Sequence, residues 1–397
     1  MPTTTAPVSP APVRSPLVDW LGVTAVTLGI FAIVTTEILP IGLLTSIGAD
    51  FTVSEGTAGL MMTMPGLLAA VSAPLVTAAT GRIDRRLMLA AFVLLLAVAN
   101  FLTAAATDYW LMLLSRVLVG ITIGGFWSIG AGLAGRLVPA ASAGRATTVI
   151  FSAVPLGSVL GVPLGTYLGD VAGWRTAFTA LGLLSLAVLA LLLAVIPPLP
   201  PPRATRLRVL GGVLRRVGTR FALLTTFLVV FAHFAAYTYV TPFLERVPRM
   251  DAGLITLCLL VYGAAGIAGN FLGGPAVARH PHGTFAVVTA LLAVPTLLLP
   301  VLGTGNAGAL ALLVVWGAAY GAVPVCSQTW FAKAAPDAPE AATVLFTASF
   351  QATLSLGALT GGLVVDRLSP SAVLPLAGLT AALALLAVRA AHHRRGP

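Results

Sequence analysis

Twelve long apolar stretches occupy most of this 397-residue sequence, and only short polar segments separate them. Each stretch is close to the roughly 20 apolar residues that a helix needs to cross a bilayer. Hydrophobic residues make up 58% of the chain and charged residues 9%, and a water-soluble domain could not hide so much apolar surface. The sequence therefore predicts an all-α integral membrane protein with twelve transmembrane helices in lipid, called spans 1 to 12: 18–44, 56–79, 87–107, 109–135, 143–169, 175–196, 219–244, 251–278, 284–302, 306–331, 340–364 and 371–390.

Basic residues are distributed unevenly between the two sides of these spans. Most of the 22 lysines and arginines fall in segments that share a side with the N-terminus if the spans alternate in direction. Because Lys and Arg accumulate in cytoplasmic loops, both termini are predicted to be cytoplasmic in a multi-pass protein of the cell inner membrane. The formal charge of +10 is thus explained by orientation, and no nucleic-acid partner is expected.

Polar segments divide the chain into two parts. The longest polar break, residues 197–218, opens with prolines that cannot continue a helix and continues with arginines. It is predicted to be a cytoplasmic linker between two six-helix bundles, residues 17–196 and 219–390. Residues 1–16 lack the features of a signal peptide and are predicted to be a disordered cytoplasmic tail, and residues 391–397 a second cytoplasmic tail.

The two predicted bundles share a sequence pattern. Several short motifs recur in chain order roughly 195 residues later, the clearest being Gly161, Gly165 and Asp170, which recur as Gly357, Gly361 and Asp366. A parallel duplication of this kind is typical of transporters built from two related six-helix units. The sequence therefore predicts two pseudo-symmetric bundles.

Span 5 carries a glycine at every fourth position, at Gly157, Gly161 and Gly165. In lipid, such a smooth stripe allows another helix to approach closely. Pro163 removes a backbone hydrogen bond within the same segment and favours a kink. Two interpretations remain open: a plain packing face, or a hinge or sealing contact between the bundles.

Three ionisable side chains lie well inside the spans: Glu37 in span 1, Arg116 in span 4 and His233 in span 7. Such groups are costly in lipid and are candidates for function. Glu37 and Arg116 each lie roughly 10 Å from the outer ends of their spans at the helical rise per residue. Because an unpaired buried charge is costly, we expect them to pair, directly or through water. The pair is either purely structural or the proton-coupling site of a transporter.

His233 lies near the middle of span 7, where transporter substrates bind. Tyr237 shares its helical face, and Tyr239 follows shortly after. His233 is a packing residue, a hydrogen-bonding ligand of the substrate or a proton site, and the pattern does not decide among these. Further polar residues that could line a substrate pathway or form interhelical hydrogen bonds are Asn270, Gln328 and Gln351.

Other classes of function find little support. Cys258 and Cys326 lie inside spans with no histidine beside them, so neither a disulfide nor a zinc site is expected. Lys333 is the only lysine, and no Gly-x-x-x-x-Gly-Lys-Ser/Thr loop is present, which argues against ATP hydrolysis. We expect no metal, no cofactor and no enzymatic site, and an ion gradient as the source of energy.

Three motifs resemble those of a known group of transporters. Span 1 contains Thr35-Thr36-Glu37-x-x-Pro40, and span 5 contains Gly157-x-x-x-Gly161-x-Pro163-x-Gly165. The loop after span 2 contains Gly81-Arg82-Ile83-Asp84-Arg85-Arg86. These resemble the opening signature of sugar-efflux and arabinose-efflux permeases, the helix 5 motif of antiporters and the cytoplasmic gating motif of the major facilitator superfamily.

This resemblance implies the major facilitator fold and roles for particular residues. Arg116 is similar to a helix 4 arginine tied to proton coupling, and the loop implies gating by Arg82, Asp84, Arg85 and Arg86. Span 4 contains Ile123-Gly124-Gly125-Phe126-Trp127, where the sugar-efflux branch often has a histidine in place of Ile123. Phe126 and Trp127 are the implied substrate-lining residues, and an indole suits sugars and flat drug-like molecules equally.

The leading hypothesis is therefore proton-coupled export, by alternating access, of a sugar or a drug-like compound by a monomer. An inward proton symporter and a transport-inactive membrane sensor are the alternatives. Small-molecule substrate, protons and the bilayer are the expected partners. The sequence does not identify the substrate.

Overall fold

The computed structural model describes residues 15–79, 83–130, 133–200 and 207–393. Within these ranges every regular element is helical, and twelve helical segments are long and apolar enough to cross a membrane. The predicted number of spans is therefore confirmed. Parts of both predicted tails, of the linker and of the gating loop lie outside the described residues.

The first six spans contain several interruptions, which divide three of them into shorter helices. Their bounds are Pro16–Ile38 and Pro40–Asp50 for span 1, Glu55–Ala58 and Leu60–Ala79 for span 2, Arg85–Ala104 for span 3, Tyr109–Gly130 for span 4, Ala143–Leu156 and Val162–Ala172 joined by the π-helical turn Gly157–Gly161 for span 5, and Trp174–Val195 for span 6.

The last six spans are more regular, and only the first of them is divided. Their bounds are Val217–Tyr237 and Val240–Arg246 for span 7, Ala252–Arg279 for span 8, Pro281–Leu302 for span 9, Asn306–Ala334 for span 10, Pro339–Arg367 for span 11 and Pro370–His393 for span 12. Short helices also lie at Ala134–Leu137, at Ala140–Ser142 and, in the linker, at Leu207–Leu214.

Short polar residues begin several of these helices. Ser54, Asp84 and Asp251 each accept a hydrogen bond from a backbone N–H in the first turn of spans 2, 3 and 8, which satisfies a group that has no partner inside the helix. Gly173 separates spans 5 and 6 with a φ of 86°, a conformation that glycine adopts without strain.

Span 1 extends beyond its predicted end. The second helix of this span continues to Asp50, whereas the apolar stretch ends near residue 44. The end of an apolar stretch therefore does not mark the end of the helix here. At a rise of about 1.5 Å per residue, Glu37 lies roughly 20 Å from that end. It is therefore deeper in the molecule than the sequence indicated.

The two halves repeat one packing scheme. In the first half, span 2 packs on span 4, span 3 on span 6 and span 1 on span 5; in the second, span 8 packs on span 10, span 9 on span 12 and span 7 on span 11. The halves meet mainly where span 2 lies against span 11 and span 5 against span 8. We call the face where span 6 ends and span 7 begins the linker face, and the face where span 1 ends and span 2 begins the distal face.

Candidate functional site

Glu37 lies at the contact between the two halves. It occupies the last turn of helix Pro16–Ile38, and its side chain is buried. Its Oε1 accepts a hydrogen bond of 2.8 Å from Nε2 of Gln351 on span 11. The Oε1 atom of Gln351 has no partner among the described residues. A buried carboxyl group thus joins the halves through a single amide.

Arg116 is fully buried but belongs to the interior of the first half. Its guanidinium donates 3.0 Å hydrogen bonds to the carbonyl of Thr36 and to Oγ1 of Thr103, and it lies 4.8 Å from the ring centroid of Phe178. The Thr36 carbonyl is available because its usual helical donor would be the N–H of residue 40, which proline lacks. Arg116 therefore satisfies the carbonyl that Pro40 leaves without a partner.

A buried polar network surrounds this contact. Asn100 donates a 3.1 Å hydrogen bond to the hydroxyl of Thr36, and the hydroxyls of Thr103 and Ser115 lie 2.7 Å apart. The sequence analysis did not identify these residues. An amide inside an apolar span is the one signal by which Asn100 could have been found.

Glu37 and Arg116, which were predicted to pair directly or through water, form no direct ion pair in the described part of the chain, where both side chains lie, and pairing through water stays a prediction. Neighbouring side chains on a helix point about 100° apart, so Glu37 faces span 11 while the Thr36 side chain faces Asn100 of span 3. Arg116 reaches only the backbone carbonyl of Thr36. A depth estimated along each helix did not show in which direction around the helix each side chain points.

Four near-parallel rings in the second half form what we call the aromatic column: Tyr320, His233, Tyr237 and Tyr262. The rings of His233 and Tyr320 are 3.3 Å apart at 7°, those of His233 and Tyr237 4.9 Å apart at 23°, and those of Tyr237 and Tyr262 4.5 Å apart at 22°. Trp316 lies edge-on to the three rings other than Tyr320. The predicted pair of His233 and Tyr237 is thus part of a larger cluster.

The aromatic column contains polar atoms without partners. Nδ1 of His233, the Tyr262 hydroxyl and Nε1 of Trp316 are buried and form no hydrogen bond with any described residue. Tyr320 is half-buried, and its ring lies edge-on to that of Phe234 at 5.8 Å. Sequence reasoning missed Tyr262, Trp316 and Tyr320, because an aromatic residue in an apolar span gives no signal that separates it from ordinary packing.

Tyr239, a predicted substrate ligand, lies instead at a close approach of the halves. Its hydroxyl donates to the carbonyl of Ala358 at 2.8 Å. A Cβ at Gly59 or Gly362 would overlap that hydroxyl. The position favours a role in closing the contact, and its role in substrate binding stays a prediction.

The other predicted lining residues are dispersed. Phe126 is buried against Gly29 of span 1, and Trp127 packs near Phe151 of span 5 with ring centroids 6.0 Å apart. Asn270 is half-buried and Gln328 is exposed. Of the predicted lining residues, only Gln351 meets Glu37.

The predicted gating residues contact their own half. Asp84 accepts a 2.8 Å hydrogen bond from the backbone of Arg86, whose side chain donates to the carbonyl of Leu193 on span 6. The backbone N–H of Arg85 donates to the carbonyl of Leu199 at 2.9 Å. Arg82 lies outside the described residues. These contacts attach the loop to the end of span 6.

The glycine stripe of span 5 packs against span 1 of the same half. A Cβ at Gly157, Gly161 or Gly165 would overlap side chains of span 1, and Pro163 follows the π-helical turn. Span 5 meets the other half through a different face, because Gly263 of span 8 lies against the backbone of Val159. The stripe itself is therefore a packing face in this structure.

Several hydrogen bonds join the halves at the distal face. The carboxylate of Asp366 accepts from the Ser54 hydroxyl at 2.7 Å and from the N–H of Gly56 at 2.8 Å, and Arg246 lies 2.5 Å from Glu55. We call Asp366 and its two partners the distal latch. A carboxylate from one half thus caps a helix of the other, where it is also favoured by the helix dipole.

Cys258 and Cys326 are free and buried. Among the described residues no group of histidine, cysteine, aspartate and glutamate side chains could hold a metal ion.

Comparison with known proteins places this geometry in context. A family model described as Major Facilitator Superfamily matches residues 26–358. The chain is 34% identical over 353 residues to "Transcription regulatory protein OpdE" of Pseudomonas aeruginosa, covering 88% of each protein. It is 32% identical over 372 residues to "Purine ribonucleoside efflux pump NepI" of Salmonella paratyphi A, covering 94% of each.

Solved structures share the fold at low sequence identity. A bacterial homologue of the human lysosomal transporter Spinster, in an inward-facing and occupied conformation, is 16% identical with a TM-score of 0.77, over 96% of this chain and 98% of that one. The human organic anion transporter MFSD10 is 17% identical with a TM-score of 0.71, over 94% and 100% of the two chains.

Proposed function

This chain belongs to the major facilitator superfamily of membrane transporters, and on that premise we propose that it exports a small molecule in exchange for protons. The observation that carries the proposal is Glu37, a buried carboxyl group that meets Gln351 of the opposite half. A group that gains or loses a proton there changes the interaction between the halves. Coupling requires such a difference between the two conformations.

The proposed direction of export rests on orientation. We assign the linker face to the cytoplasm, because the basic segments lie on that side. The distal face is then the outer one, and the distal latch joins the halves on the outside. Because the halves are joined at this face, we infer that the state described is the one that faces the cytoplasm and loads cargo.

Proton and cargo compete in the proposed cycle. In the state that faces inward, Glu37 gives up its proton to the cytoplasm as the cargo binds, and a hydroxyl or N–H of the cargo donates to the resulting carboxylate in place of Gln351. In the state that faces outward, protonation of Glu37 removes that acceptor, so the cargo leaves. Binding of the cargo therefore releases a proton, and binding of a proton releases the cargo.

We further propose a purine nucleoside as the cargo class, ahead of the sugars and drug-like compounds that the motifs suggest. Support comes from the relative named as a purine ribonucleoside efflux pump, with 94% coverage of both chains. The aromatic column is consistent with this choice, since aromatic side chains stack on the face of any base.

The test is proton release from detergent-solubilised protein on addition of adenosine, with a panel of sugars and antibiotics as further probes. Wild type releases protons with its cargo, and Glu37→Gln, which resembles the protonated form, does not. Asp19→Asn, in the first turn of the same helix, serves as the control and keeps the release. Equal release from wild type and Glu37→Gln would place coupling elsewhere, His233 being the next candidate.

A transport-inactive sensor is the second candidate function. The relative named as a transcription regulatory protein favours it. Wild type that binds a ligand but neither releases protons nor transports that ligand in inverted vesicles would support the sensor and contradict export.

A further inference from the structure

We propose that the aromatic column is a binding subsite for the planar heterocyclic ring of the cargo, with Tyr320 holding the ring's place while the site is empty. This inference rests on the proposed export function and assigns a location and a specificity to it.

The geometry of the column identifies its open end. His233, Tyr237, Tyr262 and Trp316 are all buried, whereas Tyr320 is half-buried. Tyr320 stacks on His233 at 3.3 Å and 7°, which is the arrangement that a flat ligand would take against the same imidazole. Displacing this one side chain therefore exposes the face of His233 to a ligand.

The unsatisfied polar atoms define what the ring must carry. An indole N–H is only a donor, whereas a tyrosine hydroxyl and a histidine nitrogen each donate or accept. Nε1 of Trp316 therefore needs an acceptor such as a ring nitrogen or a carbonyl, and the Tyr262 hydroxyl accommodates either kind of group. Nδ1 of His233 lies in the plane of the imidazole, so a ring that stacks on the imidazole face does not bond to it. Buried polar groups of this kind are normally paired. A heterocycle with several ring nitrogens matches them, and a hydrocarbon ring does not.

The groups beside the open end define the rest of the ligand. The ring of Phe234 lies 5.8 Å from that of Tyr320 and 6.4 Å from that of Phe350, the residue before Gln351. Gln351 donates to Glu37, and its Oε1 atom has no partner among the described residues. A carboxylate acceptor and an amide suit a substituent rich in hydroxyl groups. The ligand class is thus a nitrogen heterocycle that carries a polyhydroxyl substituent, and a free sugar lacks the part that the column recognises.

The test is equilibrium binding of radiolabelled adenosine to the purified full-length protein, with ribose as a competitor. We expect adenosine to bind and ribose not to displace it. His233→Ala weakens binding by roughly tenfold or more, as expected for the loss of one stacking partner. His233→Phe keeps an aromatic face for stacking, so it binds adenosine more tightly than His233→Ala does. Tyr320→Ala binds adenosine more tightly, because the ring no longer competes with it.

Matched controls lie in the same half of the molecule. His282 and Trp330 form a separate pair of rings, 5.2 Å apart, and Trp330 shares span 10 with Trp316 and Tyr320. His282→Ala and Trp330→Phe bind adenosine as wild type does. Size-exclusion profiles confirm that each variant is folded, and Trp316→Phe gives a second, conservative substitution inside the cluster, with weaker binding expected.

The possible failures are distinguishable. If adenosine binds equally to wild type, His233→Ala and Trp316→Phe, the subsite is wrong, while coupled export through Glu37 still stands on its own proton-release test. If Tyr320→Ala weakens binding, Tyr320 is a ligand contact and its assignment as a placeholder is wrong. If wild type exports another compound with proton release but does not bind adenosine, the export proposal survives and the subsite does not.

Discussion

Spans 1 and 7 occupy equivalent positions in the two halves and share one backbone design. Each is divided into two helices, and a proline follows the division, Pro40 in span 1 and Pro242 in span 7. Each also receives a glycine-bearing helix at close range, span 5 against span 1 and span 11 against span 7. The broken helix is therefore a feature of the repeated unit rather than of one half.

The side chains around these two breaks differ completely. Span 1 carries Glu37 beside a carbonyl bonded by Arg116, within a network of hydroxyl and amide groups. Span 7 carries His233 within a stack of aromatic rings. One backbone frame is thus repeated with different chemistry. In the cycle that we propose, the first half would carry the proton site and the second half would bind the ring of the cargo.

The shared frame is tested by filling its closest contacts, and the largest effects are expected here. A Cβ at Gly161 would overlap Thr35, and one at Gly361 would overlap the backbone of Ala235. Gly161→Leu and Gly361→Leu should each abolish transport in inverted vesicles while the protein remains folded by size-exclusion chromatography. Gly144→Leu, at a position with no neighbour within 4 Å, should keep its activity. Full activity of both Gly161→Leu and Gly361→Leu would show that these close contacts are ordinary packing that transport does not require.

A smaller effect should distinguish the two breaks from each other. Arg116 bonds the Thr36 carbonyl that Pro40 leaves without a helical donor. Arg116→Ala should therefore lower the free energy of unfolding less in a Pro40→Ala background, where the restored N–H of residue 40 replaces the guanidinium. We expect a coupling free energy of about 1–2 kcal/mol in a double-mutant cycle of unfolding.

Pro242→Ala provides the matched control for this cycle. It restores a backbone N–H at residue 242, in the other half, where we observe no contact of Arg116. The changes in the free energy of unfolding caused by Pro242→Ala and Arg116→Ala should therefore add. If the effects of Arg116→Ala and Pro40→Ala on the free energy of unfolding also add, the hydrogen bond from Arg116 to Thr36 contributes little to the stability of the break in span 1.

Hydropathy was sufficient to predict the twelve spans, because crossing a bilayer requires length and apolarity that no other fold needs. The cost of a buried charge was sufficient to identify Glu37, Arg116 and His233. Their partners could not be predicted, because a partner depends on direction around the helix and on contacts between distant segments. Gln351 follows Glu37 by 314 positions, and nothing in either local sequence reports that they meet.

The distal latch gives a prediction in which pseudo-symmetry supplies the control. Asp366 caps span 2 across the interface, whereas the side chain of its counterpart Asp170, which is also exposed, forms no hydrogen bond or ion pair with a described residue. Asp366→Asn should weaken closure of the distal face by roughly two- to fivefold, the usual worth of a charge at a helix N-terminus. Asp170→Asn should leave closure unchanged.

Cysteine labelling measures this effect. Ser355 is buried beside Gly66 at the contact between spans 2 and 11. In a Ser355→Cys protein without Cys258 and Cys326, Asp366→Asn should speed modification by a membrane-impermeant maleimide from the distal side. Equal rates for Asp366→Asn and Asp170→Asn would show that the latch does not hold this face closed.

The smallest effect is expected at the linker, where Arg216 and Asp337 lie 2.5 Å apart on the surface. The Arg216 hydrogen bond lowers the pKa of Asp337 to about 2. A depressed carboxyl pKa adds stability above the unfolded value, near 3.9, and that stability is lost only as pH falls through about 2. Both groups are exposed, so solvent screens the pair and its contribution is small.

Asp337→Asn should therefore export like wild type, and the difference between the melting temperatures of the two proteins should be constant from pH 8 to pH 5. The contrast with Asp366→Asn is informative because both substitutions remove one carboxylate charge. The carboxylate of Asp366 joins the two halves, whereas that of Asp337 attaches the linker to the second half alone. If Asp337→Asn lost as much export as Asp366→Asn, the linker itself would take part in the change of conformation. The comparison of the two equivalent halves would then have to include the segment that joins them.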